Sequence, residues 1–206
     1  MTRGIKVLVG AAAALSLAGG GQVAYHALNQ EPATVHAVWS FKAKTAKEVR
    51  AHARSIVLAE VVSTAPGADI ITRQPNEPGG VDRIPTTRVT VKVVKGYKGL
   101  NKAGDELVLF QTGGVTQLPA APAKGKTAHS DVQQLVLEGD PAYKQGEQYL
   151  LMLEPGPQGM LRPVSPQGRF RLDRSTGSLT SMVKDTATAE LSGKKLTGVE
   201  TTLRSS

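Results

Sequence analysis

The 206-residue chain has no cysteine. That absence removes disulfide frameworks, thiolate zinc sites, iron–sulfur centres and cysteine nucleophiles together. Aromatic residues make up only 4% of the chain, as one Trp, four Tyr and three Phe, so Val and Leu must supply most of any core. The four histidines, His26, His36, His52 and His129, form no i, i+4 pair. A protein zinc site needs three or four converging ligands, and no cofactor or metal is expected. A Gly-x-x-x-x-Gly-Lys-Ser/Thr loop is also missing, which argues against nucleotide phosphates as ligands.

Acidic charge is absent from the start of the chain; the first carboxylate is Glu31. Arg3 and Lys6 precede an apolar run from Val7 to Ala18. Positive charge followed by about 7–15 apolar residues is the order of an export leader. Residues 1–27 are therefore read as a signal peptide or, uncleaved, as an N-terminal anchor. Val7 to Ala27 is 21 residues, and a helical span needs about 20. In both cases the rest of the chain is expected to be extracytoplasmic, secreted or anchored, touching membrane only through this segment. Removing Arg3 and Lys6 with the leader lowers the net charge from +8 to +6.

Residues 28–44 read as a linker, with Trp39 and Phe41 alternating about Ser40 and packing on the domain edge. Thr45-Ala46-Lys47-Glu48 has capping-box spacing and opens a short helix reaching about Ala53. The period then changes. Ile56 to Val62 is β-branched and nearly continuous, as expected of a buried strand. Thr87 to Val94 alternates, with Val89, Val91 and Val93 on one face and Arg88, Thr90 and Lys92 on the other, the pattern of a half-covered antiparallel strand. Further strands are expected at Glu106–Phe110, Val132–Leu137, Gln148–Leu153, Met160–Val164 and Arg169–Leu172, with one more running into Val183. Long Pro/Gly loops separate them at about 65–85 and 113–131. Thr197-Gly198-Val199-Glu200 repeats the capping spacing, and Leu196, Val199 and Leu203 fall at helical intervals.

The fold class is therefore mainly β. It is a small antiparallel barrel or sandwich of six or more strands over residues 45–183, with a short helix before it. Residues 184–206 read as a polar tail carrying a terminal helix. Closure into a barrel hides the strand edges that otherwise aggregate.

One set of elements is distinctive. Val93, Val94, Lys95 and Gly96 end one strand. Pro141, Tyr143, Gly146, Glu147, Tyr149, Leu150, Leu151 and Leu153 lead into another, followed by Gly168-Arg169-Phe170. Over about residues 50–183 this resembles a group of uncharacterised exported bacterial domains with a G-E-x-Y-L-L-x-L strand; Met152 stands where that pattern usually has an aromatic. The resemblance implies an oligonucleotide/oligosaccharide-binding-type (OB-like) or netrin-like barrel. Metalloproteinase inhibitors of the netrin-like type rely on an N-terminal Cys and disulfides, which this chain lacks, so their mechanism does not transfer. Fold likeness carries architecture and not activity.

Three constellations invite a chemical reading. Glu138, Asp140 and Glu147 offer carboxylates for a cell-envelope hydrolase, which would need two of them about 5–10 Å apart; bracing of the turn is the simpler role for Glu147. His129-Ser130-Asp131 names the triad residue types, but adjacent side chains diverge and no Gly-x-Ser-x-Gly elbow is present. Lys92, Lys95, Lys98 and Lys102 surround Tyr97, a basic patch with a stacking ring suited to an anionic envelope polymer. Nearby carboxylates dilute it. The expected function is a non-catalytic interaction module whose partner is a protein or an envelope polymer. Its contacts are expected in the two long loops.

Overall fold

The computed structural model describes residues 33–35, 41–73, 81–117 and 132–204. The leader, Trp39, His26, His36 and the stretch His129-Ser130-Asp131 lie outside the described residues. In chain order the strands are β1 (Ala33–Val35), β2 (Ser55–Pro66), β3 (Ile70–Arg73), β4 (Val81–Ile84), β5 (Thr86–Lys98) and β6 (Glu106–Gln117). Then follow β7 (Val132–Leu137), β8 (Gln148–Pro155), β9 (Leu161–Pro163), β10 (Arg169–Leu172) and β11 (Leu179–Ser181). The helices are α1 (Ala46–His52), α2 (Thr186–Ala189) and α3 (Leu196–Arg204).

The fold is mainly β and centres on a closed five-stranded barrel. Its long strands run β8-β2-β5-β6, all neighbours antiparallel. The fourth strand thus returns beside the first, which is Greek-key order. β9 completes the ring: it is antiparallel to β8 and pairs in parallel with β6 through Leu161 and Leu109. β7 extends from the far half of β6, and β10 and β11 extend from β8.

Two cores follow from the two faces of these strands. Inside the barrel lie Val57, Ala59, Val61, Val89, Val91, Val93, Leu109, Tyr149, Leu151 and Leu153. Outside β2 and β8, a second core joins Ile56, Leu58, Leu150, Met152 and Phe170 to Ala46 and Val49 of α1 and to Leu196, Val199 and Leu203 of α3. β2 and β8 are therefore buried on both faces, which is why their sequences run apolar without alternation, whereas β5 alternates. The Val and Leu supply expected from the aromatic count does fill the interior.

The domain reaches further in both directions than 45–183. Ala33–Val35, within the stretch read as linker, pairs in parallel with β7, and Ala43 is buried in the outer core. At the other end Ala187, Leu191, Leu196, Val199 and Leu203 are buried in that same core, so the polar tail is a lid on the sheet. Charged residues on its exposed side concealed this face.

Local caps also differ from expectation. Thr45 Oγ1 accepts from the Glu48 amide at 3.2 Å, but the Glu48 carboxylate accepts from Lys44 N rather than from Thr45 N. The spacing at 197–200 makes no box, because α3 starts at Leu196 and Glu200 turns to Lys95. A reciprocal cap forms instead at Asp185 and Thr188, opening α2. Within the loop placed at 65–85, β3 and β4 form a hairpin.

Gly198 lies inside α3, and a Cβ there would meet nothing within 4 Å. Gly198→Ala is therefore expected to raise the unfolding free energy by roughly 0.5–1 kcal/mol, measurable by urea denaturation.

Candidate functional site

β10 places Arg169 opposite Leu151 of β8, so its side chain joins the face that carries the barrel-interior residues. That side chain is completely buried. Its guanidinium carbon sits 3.5 Å from the Tyr143 ring centroid and 4.7 Å from that of Tyr149. The two rings meet edge to face, 5.1 Å apart at 68°. Arg169 Nη1 donates to Asp140 Oδ1 at 2.8 Å and to the Pro141 carbonyl. Nε and Nη2 have no hydrogen-bond partner, and neither does the Tyr143 hydroxyl. The ring faces supply the attraction that these N–H groups lack, since desolvated cation–π contacts reach about 2 kcal/mol.

The surrounding turn is built to meet this cation. The sharp bend at Gly139, with φ of +75°, brings Asp140 back toward Leu137. Gln111 of β6 donates to the carbonyls of Asp140 and Pro141 at 3.2 and 3.0 Å. Burial pushes the Asp140 carboxyl above its ordinary value, and the Arg169 charge and hydrogen bond pull it partly back. Glu147 accepts from the Tyr149 hydroxyl and faces Arg171 at 3.6 Å. Burial drives the Tyr143 and Tyr149 hydroxyls upward, so both stay protonated.

Pro141, Tyr143, Glu147, Tyr149 and Arg169 all belong to the sequence elements that carried the family resemblance. Tyr143, Tyr149 and Arg169 are buried together, with the exposed Pro141 supplying its carbonyl and the partly exposed Glu147 at the edge. The signal in the sequence was the motif itself; what it hid was that Arg169, two strands away from Tyr143, is the centre.

Each predicted site residue can now be placed. Of the three hydrolase carboxylates, Asp140 is committed to Arg169, Glu147 to Tyr149 and Arg171, and Glu138 is exposed on the turn. The two cavities that Asp140 lines measure about 60 and 30 Å³. A water needs roughly 10–15 Å³, so these spaces suit a few waters and are too small for a sugar ring.

The residues of the basic patch have different surroundings. Tyr97 is buried beneath α3, and its hydroxyl donates to Glu200 at 3.0 Å; its ring has no open face for a base or sugar. Lys95 Nζ binds both Glu200 oxygens at 2.7 and 2.8 Å, and that hydrogen bond holds the Glu200 carboxyl below its usual range. Lys98 Nζ donates to the Arg50 carbonyl near the end of α1 at 2.8 Å. Lys92 stands between Glu60 and Glu106 in register. Lys92 and Lys102 are the exposed cations of the set, while Lys95 and Lys98 are half-buried. The sequence spacing missed this because α3, over a hundred residues later, delivers the Glu200 that engages Lys95 and covers Tyr97.

His52 stacks on Phe41 with centroids 4.3 Å apart and faces Glu154 at 3.4 Å. Among the described residues, no group of three or more His, Asp and Glu side chains is placed to hold a metal ion, and no helix is long and apolar enough to cross a membrane.

What remains open is the outer face of β2, β5 and β6 beyond the helices. Thr90 pairs with Ser63 on one side and Val108 on the other. Val62, left unpaired by the bulge before Ser63, lies in the same row. Val62 and Val108 are 39% and 42% exposed, and Val94 further along β5 is 42% exposed. Charges ring these valines: Arg88, Lys92, Glu60 and Glu106. The chain matches no protein-family model and no curated protein.

Proposed function

We propose that this chain is an extracytoplasmic, non-catalytic interaction module on an OB-like barrel, and that it binds another polypeptide through the open outer face of β2, β5 and β6. The export reading rests on Arg3 and Lys6 ahead of the apolar run. The OB-like reading rests on the five-stranded Greek-key ring closed by β9. In barrels of that type the second and third strands and the first inter-strand loop commonly carry the ligand; here those are β5, β6 and the segment holding the β3–β4 hairpin.

The observation that carries the reading is the row Val62, Thr90, Val108 on three adjacent strands, in which two exposed valines flank Thr90 and charged residues stand at the rim. That arrangement matches the anatomy of a protein-binding patch. No exposed aromatic stands on this face among the described residues, since Phe110 is buried. Stacked bases are therefore the poorer occupant.

The test is site-specific photo-crosslinking of the full chain in its native cells. A photoreactive side chain at position 62 or 108 is expected to give one discrete protein adduct, and the same group at Thr201 on α3 none. The charged double variant Val62→Glu/Val108→Glu should reduce that adduct by at least about tenfold, consistent with loss of a central patch, while leaving the melting temperature within about 2 °C. Equal labelling from all three positions, or an undiminished adduct in the double variant, would refute the assignment.

A further inference from the structure

The turn between β5 and β6 holds the most exposed large apolar side chain among the described residues, Leu100, at 93% exposure. A lone exposed leucine is ordinary on a protein surface. The setting of this one is not. Its turn is braced by three hydrogen bonds: Asn101 Nδ2 donates to Ser55 Oγ at 2.7 Å, Gly104 N to Val93 O at 2.8 Å, and Lys102 N to Asp105 Oδ2 at 2.8 Å. Gly99, with φ of +86°, packs so closely on the end of α1 that a Cβ there would lie 2.9 Å from the Arg54 carbonyl oxygen. Leu100 therefore stands on a turn whose place is fixed by its neighbours.

Three cations stand around it. Lys98 and Lys102 flank it in sequence, and the packing of Gly99 brings Arg54 alongside. Arg54 and Lys102 are exposed and Lys98 is half-buried. Among the described residues none of the three forms an ion pair; Lys98 Nζ donates to the Arg50 carbonyl at 2.8 Å. The carboxylates nearby are Asp105, which accepts from Lys102 N, and Glu154, which meets Arg162 Nε at 2.9 Å and His52 at 3.4 Å. Arg54 and Lys98 also line an open hollow of about 690 Å³, with Gly99 and Glu154 on its walls.

We infer that this corner of the barrel docks on an anionic lipid bilayer, with Leu100 entering the boundary between headgroups and acyl chains and Arg54, Lys98 and Lys102 meeting lipid phosphates. A soluble polyanion would use the cations and leave the leucine at their centre in water. A bilayer uses both, because binding at its surface grows with buried apolar area and with attraction to anionic lipid. This is a second membrane contact, beyond the N-terminal segment. It is also separate from the face proposed above for a polypeptide partner. From Ser55 at this corner, β2 runs to Val62, roughly 23 Å away at about 3.3 Å per residue, so both surfaces can be occupied together.

Because the chain has no cysteine, Leu100→Cys in the full chain takes a single environment-sensitive fluorophore. Gln145→Cys, on the turn that bonds Val61 further along β2, takes the same label as a reference. On phosphatidylcholine vesicles containing phosphatidylglycerol and an acyl-chain quencher, the label at 100 is expected to be quenched at least about threefold more than the label at 145. Comparing two positions makes the result independent of whether residues 1–27 insert. Quenching at 100 should fall by at least about threefold on phosphatidylcholine alone, and likewise in about 1 M salt, where the screening length is about 3 Å. Arg54→Gln/Lys102→Gln should lower it similarly while keeping the melting temperature within about 2 °C; should that variant unfold, the lipid and salt comparisons decide. Equal quenching at the two positions, or quenching indifferent to phosphatidylglycerol, would overturn the docking. So would a label at 100 that responds to added polyphosphate and not to the acyl-chain quencher, which would make this corner a polyanion site instead.

Discussion

Arg169→Leu is expected to lower the unfolding free energy by about 3–5 kcal/mol, the usual cost of breaking a buried ion pair from one side. The guanidinium is fully buried between Tyr143 and Tyr149 and bonded to Asp140. Its removal deletes two cation–π contacts and leaves the largely buried Asp140 carboxylate without its cationic partner. The same reasoning says where the loss comes from. A charge buried alone is costly, whereas removal of both charges can be close to neutral. The double variant Arg169→Leu/Asp140→Leu should therefore recover much of the loss, and a double variant no better than the single one would sink this account.

The pH dependence supplies an independent check. Because burial raises the Asp140 carboxyl in the folded state, the folded chain holds that proton more tightly than the unfolded chain does. Stability from this group is therefore full at low pH and falls as pH rises from the ordinary carboxylate range through the folded pKa. Arg169 is the largest influence opposing the rise, so the decline should steepen in Arg169→Leu. It should disappear for this group in Asp140→Asn. Urea unfolding of the three proteins across the acid-to-neutral range measures both signs.

The barrel was legible because its evidence is local. Val89, Val91 and Val93 alternate, and the runs at β2 and β8 do not, so the half-covered and doubly covered strands announce themselves. The ends of the domain were less legible. Leu191, Leu196 and Leu203 are scattered among Lys194, Lys195 and Arg204, and only the docked helix reveals that they share a core with Ile56. The site residues divide on the same principle. Tyr143, Glu147 and Tyr149 could be singled out within one short motif, but their role depends on Arg169 arriving by pairing of β10 with β8. Lys95 and Tyr97 looked like a patch because Glu200 is 105 residues from Lys95. Contacts between distant segments decide such cases, and no window of sequence contains them.

Gly96→Ala shows how a motif glycine can be read as a distance. Gly96 ends the Val93-Val94-Lys95-Gly96 element and pairs with Val57 at a register break between β2 and β5. A Cβ at this position would lie 2.2 Å from the Asn101 carbonyl oxygen, far inside contact distance. That oxygen belongs to backbone and cannot rotate away. Its turn is pinned at both ends: Asn101 Nδ2 donates to Ser55 Oγ at 2.7 Å, and Gly104 N donates to Val93 O at 2.8 Å. Relief of the clash must therefore shift the turn or the strand, and overpacking of this kind costs about 1–3 kcal/mol. The backbone angle gives no reason for glycine, because Gly96 is not among the residues with positive φ. Without the clash, Ala in a strand would be the better residue by roughly 0.5–1 kcal/mol. The sign of the change separates the two causes: a loss of about 2 kcal/mol or more in urea unfolding supports the steric reading, and a gain such as that expected for Gly198→Ala would show that the turn yields freely.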